Sequence, residues 1–353
     1  MTRHVRAGTI ALAVLWVAAV QGTAARRATA PSDERVAPAR LSETGLYAAG
    51  HAGVVDSRNR PFSPQYPLWS DGARKSRWVY LPPGTTIDAT DAGEWSFPVG
   101  TRFWKEFEFN GRKVETRFLW RSSTDRWIFA TYVWNEEGSD AVLAPDGGLP
   151  GVVELAGGRR HDIPGSADCR ACHGTKRPAP LGFNALQLST DRDPNAIHGE
   201  PLAPGMMTLA TLANERLLSP ARPELVSTPP RIRASAPTTR AVLGYFAANC
   251  GACHNRSGEI GPSGPSLKHS DLLGDGDAVA SALARHATTW QVPGQPDGSS
   301  LMIDPASPQS SAMLVRMRSR RPSSQMPPLG SALRDDTAIE VIGRWIATEL
   351  PRR

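Results

Sequence analysis

The sequence predicts an α+β multidomain protein in which an antiparallel, β-sandwich-like domain precedes a mostly α-helical region. Most of the ten Trp of the 353-residue chain fall in alternating apolar runs between residues 61 and 148, as expected for paired strands. From residue 157 onward, helical patterns and loops replace these runs. With 31 Pro and 32 Gly, the chain is rich in loops, but it stays below the proline and glycine content of low-complexity disorder.

The N-terminus has the three parts of an export signal. Arginines precede an uninterrupted apolar stretch from Ile10 to Val20, and small residues end at Ala25. This stretch is too short for a permanent membrane span, although an uncleaved N-terminal anchor is an alternative interpretation. We expect a cleaved signal peptide at 1–25, a linker at 26–45, and a periplasmic or secreted protein without a stable membrane span.

The predicted β-rich domain covers residues 46–156. Apolar runs alternate on either side of Asn110-Gly111, which is the strongest short-range signal for a hairpin. A third run, Trp127 to Trp134, follows a cluster of turn residues. These patterns predict an antiparallel meander. Aromatic residues at strand spacing favour core and cross-strand packing over a sugar-binding surface or an electron relay.

All four Cys of the chain belong to two copies of one motif. A C-x-x-C pair followed by His is the attachment signature of c-type haem. Its two thiols add to the two vinyl groups of one porphyrin, and the adjacent His becomes the proximal iron ligand. A zinc ribbon would need its Cys pairs closer together, and a thiol oxidoreductase would need a βαβ pattern. The sequence therefore predicts two covalently bound haem c groups. The motifs are Cys169-Arg170-Ala171-Cys172-His173 and Cys250-Gly251-Ala252-Cys253-His254.

The helical part is predicted to have two segments. The second, residues 236–353, has the layout of a class I cytochrome c: a helix, the haem motif, a long loop with a Met, and a terminal helix capped by Asp335 or Thr337. The first, residues 157–235, differs because Pro164-Gly165 stands where the leading helix would be. We therefore expect a less regular setting for the first haem.

The sixth ligands decide the chemistry of each iron. Met326 lies before two prolines that stiffen its loop, and His/Met ligation of haem 2 would favour an electron carrier. A core Met is the alternative. For haem 1 the first candidate is His198, on a polar loop between prolines. Met206, Met207, His161 and an open or water-ligated iron stay open as alternatives.

Further stretches of the chain extend the pattern beyond the haem motifs. They are Gly45-Leu46-Tyr47, Pro67-Leu68-Trp69-Ser70-Asp71-Gly72, Trp104-Lys105-Glu106-Phe107 and Met326-Pro327-Pro328. With them, residues 41–350 resemble a family of bacterial di-haem c-type cytochromes that have an N-terminal β-rich region and a C-terminal cytochrome region. The resemblance implies that the four motif Cys attach haem, that His173 and His254 are proximal ligands and that Met326 is a distal ligand. It implies no particular reaction.

These features predict a periplasmic electron carrier that acts between redox partner proteins. The formal charge of +6 is weak evidence for nucleic-acid binding, because processing removes basic residues and haem propionates offset most of the rest. We therefore expect no nucleic-acid partner. The sequence does not indicate an oligomeric state.

Two other functions are compatible with the sequence. One is a di-haem oxidoreductase of peroxidase type, in which haem 1 is open. The other is a binding or assembly module in which the β domain recognises a partner and the haems act as sensors. The peroxidase reaction needs an acid or base beside the open iron. The nearby carboxylates are Asp168, Asp191, Asp193 and Glu200.

Overall fold

The computed structural model describes residues 36–49, 53–91, 94–173, 180–255 and 264–350. The described residues belong to a single compact unit. The predicted signal peptide and the first part of the predicted linker lie outside the described residues. The boundaries predicted after residues 156 and 235 fall inside the compact unit and stay predictions.

The described residues form an α+β fold with one six-stranded antiparallel sheet and two small two-stranded sheets. The strands are β1 (Arg60–Pro61), β2 (Arg74–Tyr80), β3 (Ile87–Asp88), β4 (Arg102–Phe109), β5 (Arg112–Arg121), β6 (Trp127–Trp134), β7 (Ala141–Leu143), β8 (Leu149–Glu154), β9 (Arg160–Ile163) and β10 (Leu218–Ser219). The order in the large sheet is β1-β2-β4-β5-β6-β7. The small sheets pair β10 with β3 in parallel and β8 with β9 in antiparallel orientation. The large sheet is the antiparallel meander that the sequence predicts.

The predicted hairpin at Asn110-Gly111 joins β4 to β5. Both residues have positive φ, 50° for Asn110 and 78° for Gly111. Positive φ at both central residues defines a type I′ turn, whose twist matches that of the flanking strands. The third predicted run forms β6, which pairs with β5.

The buried Trp side chains of the large sheet are core residues, as predicted. Trp104 and Trp134 are almost fully buried. Their indole N–H groups donate to the hydroxyls of Thr44 and Thr116, at 2.9 and 3.0 Å. These bonds remove the cost of leaving a buried donor without an acceptor.

The predicted β-sandwich-like packing is limited in the described residues, because few strands pack face to face on the large sheet. Ile163 of β9 joins Phe107 and Phe109 of β4 in one apolar cluster, so the β8–β9 hairpin covers one end of the large sheet. Elsewhere, Phe183 and Met207 cluster with the sheet residue Phe103. Segments from the predicted first haem segment, residues 157–235, therefore cover a large part of this sheet face.

The helices of the described residues are mostly short. They are α1 (Ser166–His173), α2 (Leu209–Asn214), α3 (Glu224–Ser227), α4 (Pro237–Asn249), α5 (His269–Leu272), α6 (Gly276–Arg285), α7 (Ala312–Arg318) and α8 (Asp336–Thr348). Of the two predicted caps, Asp335 is the N-cap of α8, and its side chain accepts the N–H of Ala338 at 3.0 Å. Trp345 of α8 is fully buried and lies edge-on to Phe246 of α4, at 6.2 Å. No helix in the described ranges is both long enough and apolar enough to cross a membrane.

The segment before β2 fixes the sheet to the helical core. Tyr66 is buried in the apolar cluster that also contains Trp345, and its hydroxyl donates to Asp193 at 3.1 Å. The backbone N–H of Trp69 donates to Asn249 Oδ1 at 2.7 Å. Because Asn249 ends α4, this segment lies immediately beside the second C-x-x-C-H motif.

Candidate haem sites

The first motif occupies the end of α1, which packs on β6. A strand, β9, leads into this helix, and the break at Pro164-Gly165 separates them. Cys169 is buried and Cys172 is partly buried. The ring centroids of His173 and Phe129 of β6 are 5.4 Å apart. The large sheet is therefore a direct neighbour of the first motif.

The second motif follows α4 without a break. The Cys250 N–H donates to the carbonyl of Phe246 at 2.9 Å, and the His254 N–H donates to the carbonyl of Cys250 at 2.8 Å. A side chain at Gly251 would clash with the backbone of Leu267, so the second motif requires Gly at this position. Burial raises the pKa of the Cys250 thiol to about 12.

The two motifs, which are far apart in the sequence, lie near each other in the structure. The Cys172 thiol interacts with Cys253. This interaction outweighs the effect of burial and, with the positive charges of Arg117 and Lys105, lowers the pKa of Cys172 to about 7. The fold therefore places one cysteine of each predicted attachment site near the other site.

Met326 lies in the loop between α7 and α8, where two arginines hold the backbone. The Met326 N–H donates to the carbonyl of Arg316 at 3.1 Å, and the Arg320 guanidinium donates to the Met326 carbonyl at 3.2 Å. Burial and the charge of Arg316 lower the pKa of His254. Arg316 is thus a neighbour of both residues that the sequence predicts as ligands of haem 2.

The structure places His198 beside the cap of α8. Its Nε2 lies 2.8 Å from Asp335 Oδ1, and its ring centroid lies 4.9 Å from that of Trp69. The Tyr245 hydroxyl donates to the second oxygen of Asp335 at 2.9 Å. Iron binding through Nε2 of His198 would therefore compete with Asp335, and its assignment to haem 1 stays a prediction.

The two methionines considered for haem 1 have other contacts. Met207 is almost fully buried in an apolar cluster with Phe62. Met206 is partly buried, and its sulfur accepts the N–H of Ala203 at 3.4 Å.

His161, the last named candidate for haem 1, is buried between two carboxylates. Its Nδ1 lies 2.9 Å from Asp71, and its Nε2 lies 3.3 Å from Glu115. Burial alone lowers the pKa of His161, but the hydrogen bonds to these carboxylates outweigh it and raise the pKa to about 9. Both ring nitrogens of the resulting imidazolium are donors. Asp71 also accepts the N–H groups of Ala332 and Leu333, each at 2.8 Å.

The residues around the motifs fit a cofactor with anionic side groups. Buried Nε atoms of Arg117 and Arg320 have no acceptor among the described residues. Arg117 acts electrostatically on Cys169, and Arg320 holds the Met326 loop. Porphyrin propionates are carboxylates, which are the preferred partners of guanidinium groups. Each predicted haem site therefore has a donor suited to such a group.

A cavity of about 710 Å³ opens beside the segment between α7 and α8. Its charged lining is strongly basic, and Asp336 is the one carboxylate residue among the described residues that line it. The segment Ala332-Leu333, which is bonded to Asp71, also lines it. The basic lining residues are Arg159, Arg318, Arg320, Arg321 and Arg334.

Comparison of the chain with protein-family models, with curated proteins and with solved structures gives no significant match. Within the described ranges, no group of three or more His, Cys, Asp or Glu side chains is arranged to hold a metal ion. The assignment of the sites therefore depends on the chemistry of the motifs and on the geometry above.

Sequence reasoning did not identify the basic residues beside the first motif. Lys105 and Arg117 lie on neighbouring strands and face the same side of the sheet. Strand alternation places Lys105 between Phe103 and Phe107 on one face, which is unusual for a cation. That signal was present in the sequence, but the pairing of the two strands is needed to place the residues together.

Proposed function

We propose that this protein is an exported di-haem c-type cytochrome that transfers electrons between redox partner proteins. The main support is the proximity of Cys172 to Cys253, because it brings together two attachment motifs that each have the chemistry for covalent haem. Each haem, when bound, supplies an iron that gains and loses one electron. Adjacent attachment sites give a short path for electrons within the chain.

The C-terminal part is proposed to be a class I-like cytochrome c unit. In it, α4 leads into the second motif and α8 packs on α4 through Trp345. His254 would be the proximal ligand and Met326 the distal ligand of haem 2, and their common neighbour Arg316 supports this pairing. His173 would be the proximal ligand of haem 1.

The carboxylates near the first motif support electron transfer over peroxidase chemistry. A general acid or base must be available to the substrate, whereas all four candidates already have donors. Asp168 accepts from the Gly165 N–H, Asp191 pairs with Arg231 and Arg240, Asp193 accepts from Tyr66, and Glu200 pairs with Arg77.

The deciding experiment is expression of the whole chain with the c-type haem maturation system, followed by mass spectrometry. We expect two haems, each on one motif. The double variant C169S/C172S should keep only haem 2, and C250S/C253S should keep only haem 1. Unmodified thiols, or a disulfide between Cys172 and Cys253, would contradict the proposal.

A second measurement separates the electron carrier from the peroxidase-type alternative. We expect two low-spin signals by low-temperature EPR of the ferric protein, and no spectral change when the reduced protein meets carbon monoxide. A high-spin signal, or a carbon monoxide complex at haem 1, would instead favour the alternative with an open iron.

A further inference from the structure

A row of cationic side chains crosses the large sheet next to the first motif. Arg77 of β2 is in register with Lys105 of β4, and Lys105 is in register with Arg117 of β5. Side chains of residues directly opposite each other in antiparallel strands lie on the same face, with Cβ atoms about 5 Å apart. Like charges in these positions destabilise a sheet, so the row needs anions to offset it.

The carboxylates near the row do not offset all of it. Glu200 pairs with Arg77 at 2.6 Å, and Glu115 pairs with Arg117 at 2.7 Å. The Lys105 Nζ lies 4.9 Å from the centre of the Phe107 ring, and it has no carboxylate partner among the described residues. Burial and the neighbouring cations hold the pKa of Lys105 well below its usual range. An additional anion at Lys105 would relieve this unfavourable charge.

The uncompensated part of the row faces the first attachment site. Arg117 is in register with Thr131 of β6, and α1, which carries the motif, packs on that strand. Phe129 lies two residues from Thr131, on the same face of β6, and its ring centroid is 5.4 Å from that of His173. The buried Nε of Arg117 lacks an acceptor among the described residues. An unsatisfied donor and positive charge therefore lie beside the first motif.

We propose that Lys105 and Arg117 bind the propionate carboxylates of haem 1, so that the large sheet forms one wall of the haem 1 site. This inference rests on the proposed di-haem function. Charge-assisted hydrogen bonds to a carboxylate would satisfy Arg117 and stabilise the ammonium form of Lys105. The β domain is then part of the haem site, and its removal would leave haem 1 without its anion-binding residues.

The test is the reduction potential of haem 1 in the matured holoprotein, measured by spectroelectrochemistry. M326H, which alters the predicted ligand of haem 2, identifies the haem 2 couple. We expect K105Q to lower the potential of haem 1, because a lost cation favours the ferric state, and K105R to restore it. R74Q is the matched control: it removes one positive charge from β2 at an exposed position, where Arg74 pairs with Glu108 at 3.3 Å. We expect R74Q to cause little shift.

Three results would overturn the inference while leaving the di-haem proposal intact. They are a K105Q shift no larger than that of R74Q, a shift at haem 2 instead of haem 1, and a change of spin state at haem 1. A change of spin state at haem 1 in K105Q would indicate that Lys105 is an iron ligand. Absence of haem from the unsubstituted protein would overturn the proposed function itself.

A second measurement needs no substitution near haem 1. Propionates held by cations stay ionised, so the potential of haem 1 should be constant between about pH 5 and pH 7. A marked pH dependence in this range would show that the carboxylates titrate freely, and it would contradict the assignment.

Discussion

At the scale of single residues, Met326 has a backbone held at both its N–H and its carbonyl by Arg316 and Arg320. A ligand on such a fixed loop loses little entropy on binding iron. We therefore expect M326A to remove the sulfur-to-iron charge-transfer band and to lower the potential of haem 2, since a thioether ligand raises it. M206A is the control, because Met206 lies in the first haem segment. An unchanged spectrum in M326A would contradict the assignment.

His161 is the residue whose protonation should be most visible in stability. Its imidazolium lies between Asp71 and Glu115, and Glu115 is also paired with Arg117. The pKa of His161 is raised from 6.5 to about 9 in the folded protein. A raised folded-state pKa contributes stability that is fully present below pH 6.5 and is lost as the pH rises through 9.

We expect the free energy of unfolding to fall between pH 6.5 and pH 9.5, by at most about 3 kcal/mol from this residue. H161Q should be less stable at pH 6.5 and should lose less stability over the same range. Denaturant unfolding of both proteins across this pH range measures the difference. Parallel pH profiles would show that His161 is not the titrating group.

At the scale of elements, the join between the sheet and the helical region depends on close packing at Gly244 of α4. A Cβ at this position would overlap the ring of Tyr66. Tyr66 is 1% exposed, and its hydroxyl is bonded to Asp193, so the ring has little room to move. We expect G244A to destabilise the protein by about 1–3 kcal/mol in denaturant unfolding.

Gly343 of α8 provides the matched control for this substitution. The nearest atom to a Cβ there is Leu314 Cδ1 at 3.7 Å, which is ordinary van der Waals contact. Because Ala is a better helix former than Gly, we expect G343A to stabilise the protein by about 0.5–1 kcal/mol. Equal effects of G244A and G343A would mean that the contact of Gly244 with Tyr66 is not tight in solution.

At the scale of the whole molecule, positive charge is concentrated in the arginine-lined cavity next to the Met326 loop. If electrons pass through haem 2, this charge should attract anionic redox partners and raise their association rate. We expect oxidation of the reduced protein by ferricyanide to be faster at low ionic strength, and to slow roughly threefold to tenfold in R321Q/R334Q.

Hexaammineruthenium, a cationic probe, should show no such loss in the same variant. R112Q/R126Q, which changes one exposed arginine of β5 and one just before β6, controls for net charge. The cavity would not direct electron exchange if R321Q/R334Q and R112Q/R126Q slowed the reaction equally. The same conclusion would follow if R321Q/R334Q slowed the reactions of ferricyanide and hexaammineruthenium equally.

Local patterns predicted several elements of this molecule because their causes are local. The Asn110-Gly111 turn follows from the positive φ that both residues tolerate. The cap of α8 follows from the carboxylate of Asp335, which reaches an N–H three residues later.

The C-x-x-C-H motifs are also a local property, since their chemistry is contained in five consecutive residues, and the sequence alone predicts the cofactor and its attachment residues. Only the tertiary structure decided that Cys172 lies near Cys253 and that Lys105 and Arg117 lie beside the first motif. It also decided that His161 is enclosed by carboxylates. Strand register and the packing of a helix on a sheet join residues far apart in the chain, and they depend on the whole core rather than on any short segment.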